Sequence, residues 1–146
     1  MAAMVAQFTS DDFSFQYPEN WTVIDRQDVT WPKYAVLQSP GGAYWSAHVH
    51  PSSARPVPLA SQSLQTMRSE YPELEFHSLE QTVGGYDASG YDIYFYCLDF
   101  LVRSQVLAFA TPTHVVVLWY QGEDREFDSL SPIFEAIAVS LLRSLA

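Results

Sequence analysis

Residues 91–120, YDIYFYCLDFLVRSQVLAFATPTHVVVLWY, carry the main evidence for the fold class. Residues 91–98, 102–110 and 114–120 form three long runs rich in the β-branched and aromatic residues that favour strands. These runs are apolar at both odd and even positions, so both faces of the predicted strands are apolar. Strands of this kind must be covered on both sides. The sequence therefore predicts a sheet that lies between two further layers.

Two predicted helices supply those layers. Between Pro58 and Pro72 the period changes, because apolar residues recur at spacings of four, three and four, namely Ala60, Leu64, Met67 and Tyr71. A second helix is predicted to begin with Ser131 as N-cap and Pro132 at its first position. Its apolar stripe is Phe134, Ile137 and Leu141, and Phe127 and Leu130 are expected to pack from a preceding turn.

The first half of the chain predicts four shorter strands. Phe13, Phe15 and Tyr17 alternate with polar residues up to the turn at residues 18–20, and residues 21–25 are interpreted as the hairpin partner of that strand. Further strands are predicted at residues 35–38 and 44–50, on either side of the turn SPGG. Another hairpin turn is predicted at residues 83–86. Four strands, a helix, four strands and a helix indicate an α+β domain, with an antiparallel β-sheet covered by helices.

Composition limits the class of protein and of partner. The 146 residues are expected to form a single domain, 1–146, because 48% are hydrophobic and no linker divides them. Seven Lys and Arg against 17 Asp and Glu give a net charge of −10, so no basic stripe can follow a phosphate backbone and nucleic acid is excluded as a partner. The longest apolar run, residues 115–120, has six residues, so no membrane span is expected.

The cysteine count and the first residues bear on the compartment. The single cysteine, Cys97, can form no internal disulfide. Residues 1–10 contain neither a basic residue nor an apolar stretch of signal-peptide length. We therefore expect a soluble protein of the cytoplasm, or an exported one if a signal peptide has been removed.

Both ends of the chain resemble the PsbP-like group, which includes the extrinsic photosystem protein, the DcrB-like bacterial proteins and a nuclear-import factor that binds a small GTPase. Residues 13–21, FSFQYPENW, resemble its F-x-x-x-Y-P-x-x-W opening, and residues 133–141, IFEAIAVSL, resemble its final helix. The resemblance implies a PsbP-like α/β/α sandwich and a role in docking. It carries over no catalytic residue. Because the transit segment of photosynthetic members is missing, no thylakoid role is expected.

His48 and His50 are the candidate metal ligands. Residues two apart on a strand point to the same face, so the two imidazoles can approach one ion. Zinc sites use three or four protein ligands, and His77, His114 or an acidic residue would have to complete this one. We expect no metal and no cofactor, and keep a small metal- or ligand-binding protein as the alternative function.

No catalytic residue is predicted. Cys97 is expected to be a small buried thiol, because Phe95 and Ile93 precede it on the same face of its strand. The serine in DASG lacks the glycine spacing of a hydrolase elbow, and the acidic residues 123–128 lack the spacing of a calcium loop.

Trp31 and Tyr34 are the candidate protein-binding residues. They are predicted to lie in a loop between strands, where large rings either fold back on the core or contact a partner. The leading hypothesis is therefore a non-enzymatic binding or accessory module that presents a sheet edge or an aromatic loop to a protein partner.

Overall fold

Nine strands and two helices follow one another in the part of the chain that the computed structural model describes, residues 4–145. Residues 1–3 and 146, at the two ends of the predicted domain, lie outside that part. The elements in chain order are β1 (Val5–Thr9), β2 (Ser14–Pro18), β3 (Thr22–Gln27), β4 (Lys33–Gln38), β5 (Tyr44–Pro51), α1 (Pro56–Glu70), β6 (Glu75–Val83), β7 (Tyr86–Cys97), β8 (Phe100–Ala110), β9 (His114–Glu123) and α2 (Asp124–Leu145).

Seven of the strands form one antiparallel sheet in the order β3-β4-β5-β9-β8-β7-β6. The two long C-terminal strands β8 and β9 lie near its middle, where apolar side chains on both faces can be covered. The predicted turn at residues 83–86 is confirmed, because Val83 pairs with Tyr86 and both Gly84 and Gly85 have positive φ. The protein is an α+β domain in which helices cover an antiparallel sheet, as predicted.

One face of the sheet carries the larger hydrophobic core, and α2 and the β1-β2 hairpin cover it. Trp45 of β5 lies at its centre, with its ring centroid 4.9 Å from that of Phe15 and its indole N–H donating to the carbonyl oxygen of Phe134. The buried side of α2 consists of Phe127, Phe134, Ile137, Ala138, Leu141, Leu142 and Leu145. This amphipathic stripe buries α2 along its whole length.

The opposite face carries a smaller core under α1. Ala60, Leu64 and Met67 are the buried side chains of α1, at the spacings that predicted the helix. They pack over strands β7, β8 and β9 against Ile93, Phe95, Val106, Ala108 and Val117. Tyr71 follows the end of α1, and its ring centroid lies 4.2 Å from that of Phe95. Strands β3 and β4 extend beyond the part of the sheet that α1 covers.

The predicted pairing of the first hairpin was wrong. Strand β2 pairs with β1, which the sequence analysis missed, and the two form a separate two-stranded sheet. Trp21 and β3 are not part of that hairpin. Strand β3 pairs instead with β4, at the edge of the large sheet. The turn at residues 18–20 connects the small sheet to the large one. Directly after this turn, Trp21 is buried in the core beside Phe134 of α2.

Two predicted boundaries also differ from the structure. Helix α2 begins at Asp124, so Pro132 lies inside the helix and Phe127 belongs to the helix rather than to a preceding turn. Acidic residues in the first turn, Asp124 and Glu126, favour this earlier start through the helix dipole. Tyr34 belongs to strand β4 rather than to a loop. Among residues 4–145, no helix is long and apolar enough to cross a bilayer.

Candidate functional site

The two candidate binding aromatics, Trp31 and Tyr34, lie close to other side chains of the protein. Trp31 is 43% exposed, with its ring 5.9 Å from that of His114 and the ammonium of Lys33 4.5 Å from its centroid. Tyr34 stacks on His48 at 5.1 Å, and its hydroxyl donates to Asp25. Both residues therefore already have contacts within the chain.

The two candidate metal ligands face a groove between α1 and the sheet. His48 and His50 share one face of β5, and the groove of about 280 Å³ beside them also contacts Leu59 and Trp119. Burial, and next the neighbouring His50, lower the pKa of His48 to about 4, so its ring is neutral at pH 7. Burial lowers the pKa of His50 as well.

The structure brings these two imidazoles together without a third ligand. Within residues 4–145, no group of three or more His, Cys, Asp or Glu side chains is placed to hold a metal ion. His77 lies on β6, at the far edge of the sheet from β5. The Nδ1 atom of His48 is buried without a hydrogen-bond partner, so the ring acts here as a stacking partner of Tyr34.

Cys97 is exposed, so the prediction of a buried thiol was wrong. Ile93 and Phe95 on the same strand are buried, but Cys97 lies at the end of β7, beyond the cover of α1. Its sulfur is 3.9 Å from the hydroxyl oxygen of Tyr71, and this hydrogen bond raises the pKa of Tyr71 above its ordinary value. The Tyr71 hydroxyl therefore stays protonated and remains a donor.

The hairpin that joins β7 to β8 ends in exposed apolar side chains. Leu98 is 89% exposed, Tyr96 72% and Phe100 53%. Cys97 pairs with Phe100, which leaves Leu98 and Asp99 as a two-residue turn, with Tyr96 and Phe100 beside it on opposite faces of the hairpin. We call Tyr96, Leu98 and Phe100 the hairpin tip. Single exposed apolar residues are ordinary, whereas three at the end of one hairpin make a candidate interaction surface.

The backbone conformation at position 98 favours glycine over the leucine that occupies it. Leu98 has a φ of +55°, the left-handed region in which a Cβ costs roughly 1–2 kcal/mol. It is the one non-glycine residue with positive φ in the part of the chain that the structure describes. A two-residue hairpin turn is usually made by Gly, Asn or Asp at such a position. An apolar side chain therefore occupies a position that glycine would fill with less strain.

A notch of about 690 Å³ opens beside the hairpin tip. Its walls are the turn after α1 and the end of β7, and they include Tyr71, Tyr94, Phe95 and Tyr96. Three exposed carboxylates, Glu70, Glu73 and Glu75, stand around it. The guanidinium of Arg103 lies 5.5 Å from the ring of Tyr94 and is held by two hydrogen bonds of 2.9 Å to Asp92. We call this space the β7 notch.

The sequence analysis missed both the hairpin tip and the β7 notch. It predicted one strand over residues 91–98 with both faces buried. In the structure, the residues at the end of this strand are exposed, because no other element within residues 4–145 packs over them. The available signal was the pair Leu98-Asp99 between two apolar runs, because two residues are the commonest length of a hairpin turn.

Three solved structures are similar to this one in fold. The cyanobacterial PsbP of Synechocystis has a TM-score of 0.61 at 10% identity, over 96% of this chain and 92% of that one. The chain has the PsbP-like fold. A Bacteroides thetaiotaomicron structure has a TM-score of 0.58 at 12% identity, over 92% of this chain and 46% of that one. The Pseudomonas aeruginosa protein PA94 has a TM-score of 0.55 at 12% identity, over 94% and 95% of the two chains.

The structural similarity to cyanobacterial PsbP confirms the fold that the resemblance at residues 13–21 and 133–141 implied. No family model matches the sequence, and no curated protein matches it. At such low identity the comparisons establish the PsbP-like fold alone, since one fold supports many functions.

Proposed function

We propose that the protein is a non-enzymatic binding module, and that it docks a protein partner through the hairpin tip. The observation that carries the proposal is Leu98, which is 89% exposed at a φ of +55° between exposed Tyr96 and Phe100. A solvent-exposed turn gains nothing in folding stability from an apolar residue in the left-handed region. Contact with a partner would remove that apolar side chain from water.

The chemistry of the hairpin tip supports docking. Aromatic residues supply large contact areas with few rotatable bonds, and tyrosine is among the residues that contribute most to protein interfaces. Tyr96 and Phe100 stand on either side of a turn whose position is fixed by pairing between β7 and β8. The tip is therefore a preorganised surface, which lowers the entropic cost of binding.

Trp31 and Tyr34 remain a second proposed contact, at the opposite end of the sheet. Strand pairing places the start of β4 beside the end of β5 and the start of β9, whereas the hairpin tip adjoins the end of β9. One small partner cannot cover both ends. We place the main contact at the tip, because Tyr34 already stacks on His48 and the ring of Trp31 lies 5.9 Å from that of His114. The proposed compartment is the cytoplasm, where an exposed thiol such as Cys97 stays reduced.

Site-specific photo-crosslinking in an extract of the source organism tests the proposal. A photoreactive amino acid replaces Leu98. In two matched proteins it replaces Val29 or Trp31, which are also exposed. We expect one protein to be crosslinked from position 98 and not from Val29. Crosslinking from Trp31 alone would overturn the choice of surface, and crosslinking from all three positions would show non-specific association.

A substitution separates binding from folding. Leu98→Gly removes the apolar side chain and fits the positive φ, so the free energy of unfolding should stay the same or rise by up to about 1 kcal/mol. Binding of the crosslinked partner should weaken by about tenfold or more. The matched variant Val57→Gly removes another exposed apolar side chain, at the first turn of α1, and should leave binding unchanged. Unchanged binding in Leu98→Gly would contradict the proposal.

A further inference from the structure

The β7 notch is a place where the sheet is incomplete. Strand β7 pairs with β8 as far as Cys97, but its pairing with β6 ends at Tyr94 and Glu75. Before Glu75 the chain turns away into the loop after α1, where Leu74 donates to the carbonyl oxygen of Tyr71. Within residues 4–145, no strand therefore pairs with the outer backbone edge of residues 95–97. Unpaired strand edges of this kind are templates for an added strand.

The walls of the notch select the kind of segment that fits. Tyr94 and Tyr96 lie two residues apart on one face of β7, and Glu70, Glu73 and Glu75 surround the opening. Tyrosine faces attract cations, and carboxylates pair with them. The protein carries a net charge of −10. Arg103 already lies over the ring of Tyr94 and binds Asp92, so Tyr96 and the three glutamates are the groups left for a cation from outside.

We propose that the β7 notch binds a short extended segment of a partner protein that carries lysine or arginine side chains. The segment lies beside residues 95–97 and continues the line of β6, over about 10 Å of strand. Its backbone pairs with the free edge of β7, and its cationic side chains lie among the tyrosines and the three glutamates. This mode of recognition combines strand addition with charge complementarity.

This inference deepens the proposed function and rests on it, because it names the chemistry of the docked partner. The two share Tyr96 but otherwise use different groups. The hairpin tip acts through the exposed side chains of the turn, whereas the notch acts through the backbone edge of β7 and the carboxylates around it. A failure of one can therefore be told from a failure of the other.

The probe is a five-residue peptide, acetyl-Lys-Val-Arg-Val-Lys-amide, titrated into the isotope-labelled protein and followed by amide NMR shifts. We expect the shifts to concentrate in residues 70–75 and 94–98. The same peptide with its central three backbone nitrogens methylated should bind at least about tenfold more weakly, because it cannot donate hydrogen bonds to the strand edge. A peptide with Glu in place of Lys and Arg should not bind.

Two charge-matched variants supply the controls. The triple variant Glu70→Gln, Glu73→Gln and Glu75→Gln should weaken peptide binding by about tenfold. The triple variant Asp11→Asn, Glu19→Gln and Asp87→Asn removes the same charge from exposed positions outside the notch, and should leave binding within about twofold. All six residues are exposed, so both proteins should fold.

Three outcomes would overturn the inference. Equal weakening in the two triple variants would show that the peptide responds only to net charge. Equal binding of the methylated peptide would exclude strand addition. Shifts in residues 94–98 that grow with protein concentration without peptide would show that a second copy of the chain occupies the notch. Peptide binding at the notch together with unchanged partner binding in Leu98→Gly would retain the notch and reject the hairpin tip.

Discussion

Trp21 is the residue that joins the start of β3 to helix α2. It is 6% exposed, and its ring meets that of Phe134 edge to face at 6.0 Å. Trp21→Ala removes a buried indole and leaves a cavity, so we expect the free energy of unfolding to fall by about 3–5 kcal/mol. Denaturant melts followed by far-UV circular dichroism measure the loss.

Trp31 is the matched control for that experiment. It is 43% exposed and contacts Lys33 and His114 at the surface, so Trp31→Ala should cost about 1 kcal/mol or less. A mild effect at Trp21 together with unfolding in the Trp31 variant would contradict the packing described above.

His48 makes stability depend on pH. Its pKa is about 4 in the folded protein, against 6.5 in the unfolded chain, because burial opposes its charge. The unfolded state therefore binds more protons between these two values, and stability falls as the pH falls through this window. His48 should cost about 2 kcal/mol of stability between neutral pH and about pH 5. His50, whose pKa is also lowered by burial, adds to the fall in the same direction.

Urea melts at the two pH values of His48→Phe test this expectation. Phenylalanine can stack on Tyr34 as the imidazole does but cannot take up a proton, so the variant should lose about 2 kcal/mol less than the natural protein. His77→Phe is the control, because His77 is exposed on β6. A fall in stability of the same size in all three proteins would show that His48 does not cause it.

At the level of the elements, Gly90 of β7 leaves no room for a side chain against the backbone of β8. A Cβ added there would overlap the carbonyl oxygen of Val106, which belongs to the paired strand and cannot move aside. Gly90→Ala should therefore lower the free energy of unfolding by at least about 3 kcal/mol. Gly41→Ala, in the turn before β5, meets only the hydroxyl of Ser39 at 4.0 Å and should change stability by less than about 1 kcal/mol. Chemical denaturation of both variants compares the two sites, and equal stabilities would contradict the strand pairing.

In the whole molecule, the two helices that cover the sheet differ in how many of their side chains are buried. Three side chains of α1 are buried, against seven of α2. Helix α1 also lacks a side-chain N-cap bond and an acidic residue in its first turn. Local opening requires less free energy where fewer apolar groups are buried, so α1 should open before α2.

Native-state hydrogen exchange followed by mass spectrometry measures this difference. Amides of α1 should exchange at least about tenfold faster than those of α2, since 1.4 kcal/mol of opening free energy corresponds to tenfold. Leu64→Ala, on the buried side of α1, should widen the gap, and Leu141→Ala, on the buried side of α2, should narrow it. Equal protection of both helices would mean that the protein opens only as a single unit.

The class of fold and most of its elements could be predicted from the sequence alone. The alternation at Phe13, Phe15 and Tyr17 and the stripe of Ala60, Leu64 and Met67 predict strand and helix correctly, because the period of burial is a local property of each element. The resemblance at residues 13–21 and 133–141 led to the PsbP-like fold for the same reason, since buried aromatic positions at fixed spacing are structural.

The partner of β2 and the exposure of the end of β7 depend on tertiary structure. The partner of β2 is β1, since Trp21 is placed in the core and β3 pairs with β4 at the edge of the large sheet. Cys97 and Leu98 continue an apolar strand in sequence, yet they lie beyond the end of α1 and face solvent. A residue's pattern along the chain gives the face on which it lies, whereas its burial depends on which distant element covers that face. For that reason the hairpin tip and the β7 notch became visible only in the folded chain.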